Sequence, residues 1–557
     1  SPDALVSALT RTLATISISS AAAAAASTSN LEPVAGDNAA YVGKYTTGHW
    51  DGDLVAREID LETGELSEDA TWSAADQLQE DVDHDADSRR IYTFDDGRAR
   101  NLKAFTTANL AEEIAAGYFR SDAANPGGAL SQFALWDAAQ AAVADADAMI
   151  GFLRGQTGNE DEIGNPVRLF RDRVSPLGDI VNASPVYVGR PAFRYGDAGY
   201  TAFTNEVADR PDMVYVGAND GMLHAFDAET GTERWAFIPS VLVPNLYKLA
   251  DAGYASKHRF FVDGTITVGD AYDANSDSWR TVLVGGLGGG GRAYFAIDVT
   301  DPDNPRALWE FDTDDDVNLG YTYGNPLITK TVDGRWVVVF ASGYDNLAPG
   351  DEQGRLYVVD AFTGEKLDEI VADANSFDAN ETGIAKVSNF VANTLVDNVT
   401  QYVYGGDLAG NLWRFDLAAG VAQRLGRTAA NAGDQPITVR PELGRVKDSL
   451  GVYQRVVYFG TGRYLGESDL DEDAPSNTVA QAIYAVKDTG QDLGVLTGQD
   501  ANLVRQVLDV ADAPRRIPNP VPVDWSDGNG WYVETPVGER ITVDPRLEVG
   551  SLVVLSN

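Results

Sequence analysis

From Met213 onward the chain repeats one phrase: a short apolar strand ending in Gly or Ala, a Gly-containing turn, then a strand of aromatic and β-branched residues that mostly ends in Asp. Apolar runs of this length, bounded by turn residues, predict paired β-strands. Val214-Tyr-Val-Gly217 precedes Met222-Leu-His-Ala-Phe-Asp227, and Val282-Leu-Val-Gly285 precedes Tyr294-Phe-Ala-Ile-Asp298. Val338-Val-Phe-Ala341 precedes Leu356-Tyr-Val-Val-Asp360, and Tyr402-Val-Tyr-Gly405 precedes Leu412-Trp-Arg-Phe-Asp416. Val456-Val-Tyr-Phe-Gly460 precedes Ala482-Ile-Tyr-Ala-Val486. The units stand further apart than the ~40 to 50 residues of common propeller repeats, so they carry loop insertions. Several end in a turn such as Asp227-Ala-Glu-Thr-Gly231 or Asp360-Ala-Phe-Thr-Gly364, where Asp caps the turn and Gly accepts positive φ. Trp235 and Trp309 then begin the packing of the next strand.

Leu54-Val-Ala-Arg-Glu-Ile-Asp60 and the Leu-Glu-Thr-Gly64 after it repeat the phrase early, and Arg90-Ile-Tyr-Thr-Phe-Asp95 adds another strand. Gly530-Trp-Tyr-Val-Glu534, Arg540-Ile-Thr-Val-Asp544 and Ser551-Leu-Val-Val-Leu555 are predicted closing strands, since an open stack would leave edges prone to pairing with other chains. The fold class is all-β, a β-propeller. Two stretches break the pattern. Leu5, Leu9, Leu13 and Ile16 have helical spacing and lead into a Ser/Ala tract, so residues 1–30 read as the last helix of a preceding domain and a connector. Residues 131–154 are Ala-rich and predict a second helix, within a helical insertion at about 100–155 on a β scaffold spanning 31–557.

Charge narrows the partners. Against 42 basic residues stand 84 acidic ones, a formal charge of −42 that repels phosphate backbones and anionic headgroups. Nucleic acid is excluded as a partner, and no apolar run approaches the length that inserts directly into a bilayer. Cys is absent, which removes disulfides, thiolate metal sites and a cysteine nucleophile. Ser1 opens inside a helical pattern, so the expectation is a fragment whose export signal lies upstream.

Three stretches carry a family resemblance: Leu177-Gly-Asp-Ile-Val-Asn-Ala-Ser-Pro185 with the preceding Phe170-Arg-Asp-Arg173, Thr281-Val-Leu-Val-Gly-Gly-Leu-Gly-Gly-Gly-Gly-Arg292 leading to Ala296-Ile-Asp-Val-Thr-Asp-Pro302, and Gly406-Asp-Leu-Ala-Gly-Asn-Leu-Trp-Arg-Phe-Asp416. Tyr321-Thr-Tyr-Gly-Asn-Pro326 and Gly460-Thr-Gly-Arg-Tyr-Leu465 fit the same pattern. Together, from about Tyr41 to the end of the chain, they resemble the C-terminal domain of the PilY/PilC family, adhesins and assembly factors of type IV pili. The resemblance implies a modified seven-bladed, quinoprotein-dehydrogenase-like propeller preceded by a von Willebrand factor A-like domain. It implies a role at the pilus tip in assembly, surface attachment and twitching motility, after export through the periplasm to the cell surface. The implied partners are minor pilins and a surface or host ligand, and no organic cofactor is expected.

Some members of that family carry a calcium loop, Asp-x-Asp/Asn-x-Asp-Gly-x-x-Asp, just before the strand equivalent to Tyr402-Val-Tyr404, and the resemblance links it to control of pilus extension and retraction. The corresponding positions here are Asn393, Leu395, Asp397, Asn398 and Gln401. Calcium takes several hard oxygen ligands. Leu395 supplies none and Asn393 and Gln401 only neutral ones, so this loop is expected to bind weakly or not at all. Asp273, Asn275 and Asp277 alternate oxygen ligands in a second candidate, as do the carboxylates of Asp81-Val-Asp-His-Asp-Ala-Asp87, but neither completes the pattern and both also read as Asp-rich turns.

The alternative function is enzymatic. Asp-x-x-Thr-Gly turns followed by Trp resemble the blade signature of quinoprotein dehydrogenases, but a turn is scaffold and carries no catalysis by itself. His49, His84, His224 and His258 are isolated, with no metal-ligand spacing. Gly288-Gly-Gly-Gly291 lacks the Lys-Ser/Thr of a phosphate loop and reads as a tight turn. The expectation is a binding and assembly module without catalytic residues. Its ligands are sought first on residues 121–154 and the acidic loop 467–477.

Overall fold

A computed structural model describes residues 26–28, 39–60, 62–95, 101–346, 349–372, 383–391, 393, 396–471, 474–509, 515–548 and 550–557. The predicted helix over 5–16 lies outside them. The chain divides into two units, Ser1–Asp312 with Phe362–Gly364, and Thr313–Ala361 with Glu365–Asn557.

In the first unit, Ala26–Thr28, Ala39–Thr46, Asp51–Glu58 and Trp72–Ser73 form one sheet in that order. A second sheet runs Leu102–Ala104, Ile91–Phe94, Glu233–Ile238, Leu223–Asp227, Met213–Gly217, Val186–Val188. A third runs Ile266–Asp273, Ser278–Gly286, Ala293–Asp298, Arg306–Asp312. The repeated phrase supplies an interior antiparallel pair of the second sheet and of the third. Its continuous apolar character follows from burial on both faces. Val214, Val216 and Phe226 pack with Tyr41, Leu54 and Trp72 of the first sheet. Met213, Tyr215, Leu223 and Ala225 pack with Leu283, Phe295 and Ile297 of the third. Successive residues of a strand point to opposite faces, so a strand covered on both sides must be apolar at every position.

The turn and the tryptophan form a joint. Gly231 has φ 75, and a Cβ there would meet the Trp72 ring at 2.6 Å. Trp72 Nε1 donates to Ala228 O at 3.0 Å inside the same turn, which Asp227 caps by accepting from the Glu229 and Thr230 amides. Trp235 Nε1 repeats the contact on Pro302 O at 2.8 Å, and Trp309 lies against Gly364, φ 69. Each indole thus fastens its sheet to the turn of another segment.

In the second unit the phrase again forms interior pairs. Leu327–Lys330, Trp336–Ala341, Arg355–Asp360 and Lys366–Val371 make one sheet, and Ile384–Asn389, Tyr402–Asp407, Asn411–Asp416 and Val421–Arg427 another. A third runs Glu442–Lys447, Tyr453–Gly460, Ala482–Lys487, Gly530–Glu534, Leu503–Gln506. Val339, Val358, Val403 and Phe415 share one core, and Leu412, Val457, Phe459 and Tyr484 another. Where seven blades are implied, the described residues form six sheets of four to six strands and the hairpin of Arg546–Glu548 with Ser551–Val553.

The strand expected at Arg90–Asp95 forms as Ile91–Phe94 and joins the second sheet parallel to Glu233–Ile238. Two expectations change. Residues 540–544 form no strand; instead Ile541 donates its amide to Thr461 O at 3.0 Å and packs where a Cβ on Gly460 would stand. The Ala-rich stretch 131–154 is not one helix but a 3₁₀ turn, Phe133–Leu135, then Ala138–Val143 and Ala146–Leu153. Asp137 caps the first helix in a capping box and Asp145 caps the second through the Ala148 amide. An Asp carboxylate that accepts from the next turn's amides starts a helix and thereby ends the preceding one. The Gly288–Gly290 segment is a tight 3₁₀ turn between strands, as its sequence reads.

Candidate functional site

The chemically richest place in the first unit is a buried charge cluster built on the second sheet. Its strand Leu223–Asp227 is interrupted by His224, and Glu233 opens the next strand. Arg89, just before Ile91–Phe94, reaches Glu233 with two hydrogen bonds, Nε to Oε2 at 2.7 Å and Nη2 to Oε1 at 2.8 Å. His224 lies between two carboxylates, with Nδ1 2.7 Å from Glu233 Oε1 and Nε2 3.1 Å from Asp220 Oδ2. The Gly178 and Met222 amides donate to Asp220, and Arg89 also donates to Arg154 O.

A ring with a carboxylate on each nitrogen is held as imidazolium, since both nitrogens must donate. Burial works against that charge, but Asp220 and then Glu233 outweigh it and raise the His224 pKa to about 9. Burial likewise opposes the Glu233 charge, yet Arg89 and His224 take its pKa down to about 2. Arg89 and His224 thus balance Glu233 and Asp220, and the cluster is neutral as a whole.

Most neighbouring groups pair with one another, while Asp179 Oδ1 and Asp51 Oδ1 are buried without a hydrogen-bond partner among the described residues. Asp179 Oδ2 takes His258 Nε2 at 2.8 Å and Asn219 Nδ2 at 2.7 Å. Trp50, in the left-handed region at φ 56, stacks on His258 with centroids 3.8 Å apart. Arg173 pairs with Glu160 at 2.6 Å and covers the Phe152 ring at 3.7 Å. Burial, with Arg173 adding to it, lowers the Arg171 pKa to about 10. The cavity bounded by Trp50, Arg171, Arg173 and Asp220 measures only ≈ 20 Å³, room for about one water. The cluster therefore clamps strands and loops together. Sequence reasoning treated His224 as isolated; the available signal was a His and a Glu inside strands otherwise apolar and buried.

The expected calcium positions do not converge. Asn393 and Asp397 face each other across a backbone bridge, with the Asp397 amide donating to Asn393 O at 2.9 Å. The Asp397 carboxylate stands 3.7 Å from the Lys330 ammonium and accepts from the Val399 amide. Gln401 turns its amide to the Tyr402 hydroxyl at 3.0 Å, and Leu395 lies outside the described residues. A lysine beside the one carboxylate opposes a divalent cation there, so this donor set does not fit calcium. Asp273 accepts from the Asn275 amide and the Ser276 hydroxyl, and Asp277, φ 52, accepts from the Tyr272 hydroxyl. Those three residues make a hairpin turn. No group of three or more His, Cys, Asp or Glu that could hold a metal occurs among the described residues.

In the second unit the described residues of the acidic loop, 467–471 and 474–477, are pinned by Asp469 and Arg540. Buried Asp469 pairs with Arg463 at 2.7 Å and accepts from the Leu465 amide, while Arg540 Nη1 donates to Asp469 O. Tyr464, Leu465 and Leu470 are left exposed around it.

Residues 177–434 match the family described as the PilY1 beta-propeller domain. A type IV pilus biogenesis factor PilY1 homolog from Xylella fastidiosa is 34% identical over 507 residues, covering 89% of this chain and 36% of that protein. The type IV pilus biogenesis factor PilY1 of Pseudomonas aeruginosa strain PAK is 32% identical over 567 residues, covering 91% of this chain and 45% of its own. The chain thus spans less than half the length of these curated relatives. Among solved structures, the Pseudomonas aeruginosa PilY1 C-terminal domain matches with a TM-score of 0.54 and 30% identity, over 66% of this chain and 82% of that one.

Proposed function

Because this chain belongs to the PilY1 β-propeller family, we propose that it is the type IV pilus biogenesis module of a longer surface protein, supporting pilus assembly, surface attachment and twitching motility at the pilus tip. The observation that carries the reading is the match to a solved PilY1 C-terminal domain over most of that domain's length. Minor pilins and a surface or host ligand are the partners this role calls for, and it works by binding rather than catalysis. The first unit's buried ionisable groups support that, since they neutralise one another around a cavity too small for a substrate. The exposed Tyr464, Leu465 and Leu470 beside the acidic loop offer apolar surface of the kind that partners cover.

The test is deletion of residues 41–557 from the gene in its own organism, with surface pili measured by shearing and electron microscopy and motility by twitching zones. Loss of both is expected, and normal piliation overturns the reading. Incubation with pyrroloquinoline quinone and calcium, followed by dye-linked alcohol oxidation, is expected to stay at background.

A further inference from the structure

The first unit also holds a groove of ≈ 550 Å³ between the helix Tyr200–Glu206 and the hairpin that joins Ile266–Asp273 to Ser278–Gly286. It is open to solvent, with Ala198, Gly199, Ala202, Glu206 and Asp277 exposed along it. Tyr272, half-buried, lines it, while its cross-strand partner Trp279, with centroids 5.7 Å apart, lies buried beside it with Tyr195 stacked on it at 5.9 Å and Phe203 against it from the helix. The facing side is lined by Ala198, Gly199, Ala202, Phe203 and Glu206.

The rings are fixed in place. Trp279 Nε1 donates to Ala198 O at 2.9 Å, and the indole meets Tyr200 edge-on at 4.6 Å. The Tyr200 hydroxyl donates to buried Asp270 at 2.7 Å, and Asp270 also accepts from Thr281 Oγ1 at 2.8 Å. Packing alone accounts for how these rings hold the helix. It does not account for an open groove whose rim carries Glu206, Asp277 and Thr300. Asp277, in the left-handed region at φ 52, accepts from the Tyr272 hydroxyl with Oδ1.

We propose that this groove binds a neutral saccharide. A pyranose has an apolar C–H face that stacks on a fixed aromatic ring and hydroxyls that donate to carboxylates around it. An acidic sugar is disfavoured on two counts. Glu206 and Asp277 would repel it, and the groove's cation, Arg280, is already committed to Asp298 at 3.4 Å. A fixed ring needs no ordering on binding, which favours affinity. The inference rests on the surface-attachment part of the proposed function for its biological use and gives that function a ligand class.

The test uses the whole 557-residue chain with methyl glycosides of glucose, galactose, mannose and N-acetylglucosamine, and N-acetylneuraminic acid as the anionic control, read by saturation-transfer NMR and calorimetry. Binding of at least one neutral glycoside at millimolar concentration is expected, with none of the acid. Asp277→Asn, at an exposed position, should weaken it about tenfold by removing a charged acceptor. Tyr272→Ala should abolish it, and Tyr272→Phe should keep the stacking and bind more tightly than Tyr272→Ala. Absence of binding by every neutral probe, equal binding by Tyr272→Ala, or preference for the acid overturns the proposal. Piliation is scored separately: a Tyr272→Ala strain should pile normally, and loss of its pili would assign the groove to assembly instead. Absent sugar binding in a chain whose deletion abolishes pili removes the groove and leaves the assembly role standing.

Discussion

Replacing Arg89 with Met removes one side of a fully buried ion pair in the first unit. The Arg89 and Glu233 side chains are each 1% exposed and share two hydrogen bonds, so the loss of Arg89 leaves Glu233 Oε2 without that donor and His224 as the cation still on Oε1. Breaking a buried pair from one side costs about 3–5 kcal/mol, most of it from the charge left behind. At about 2.1 cal/mol/K of unfolding entropy per residue, a unit of roughly 300 residues loses about 1.5 °C of melting temperature per kcal/mol, so a fall of about 5–8 °C is expected in the transition of the first unit. Because two units need not unfold together, the assay is calorimetry combined with hydrogen exchange of the Leu223–Asp227 and Glu233–Ile238 amides, which report this sheet alone. Adding Glu233→Gln to Arg89→Met should recover part of the loss, since it deletes the stranded charge. A drop under about 1 kcal/mol in the single variant, or a double variant worse than the sum of its parts, would refute the reasoning.

The same cluster sets a pH window. Glu233 ionises near 2 when folded against an ordinary 4.5, so its contribution is complete above about 4.5 and fades as pH falls toward 2. His224 has its folded pKa raised from 6.5 to about 9, so its contribution is complete below 6.5 and is lost as pH rises through 9; urea titrations across pH should show the alkaline fall in the native chain and not in His224→Gln. Gly231→Ala should destabilise by about 2–4 kcal/mol, through strain at φ 75 and the clash with Trp72 at 2.6 Å, measured by urea unfolding. Millimolar calcium should give no calorimetric heat and no melting shift, because Lys330 stands beside Asp397; heat that vanishes in Asp397→Asn would overturn this.

What the sequence disclosed and what it withheld divide along the distance between interacting residues. The phrase strands were legible because burial on both faces demands apolar residues at every position, as at Val214 and Tyr215, which pack into different cores. The Asp-x-x-Thr-Gly turn was legible because Asp227 and Gly231 act on their own backbone. The parallel pairing of Ile91–Phe94 with Glu233–Ile238 was not, since nothing local in Arg90-Ile-Tyr-Thr-Phe-Asp95 names a partner beyond a long insertion. Helix boundaries failed for the opposite reason: Asp137 and Asp145 are strong local caps that an averaged Ala-rich propensity conceals. The charge cluster joins Arg89 to Glu233 through the tertiary fold, so only its anomaly, polar residues in buried strands, reaches the sequence.

The groove shows how both kinds of information combine. Asp273, Asn275 and Asp277 drew attention as possible metal ligands because their oxygens alternate, and the turn they make spends several of those oxygens on its own backbone and hydroxyls. That same turn brings Asp277 to Tyr272 and places Tyr272 across from Trp279, which is a local consequence of hairpin register. The opposite wall comes from Ala198, Gly199, Ala202, Phe203 and Glu206, which nothing in the sequence joins to the hairpin until the helix is laid beside it. A carboxylate that is one ligand too few for a cation is therefore well placed as the polar edge of an aromatic site, where a single charged acceptor fixes a hydroxyl.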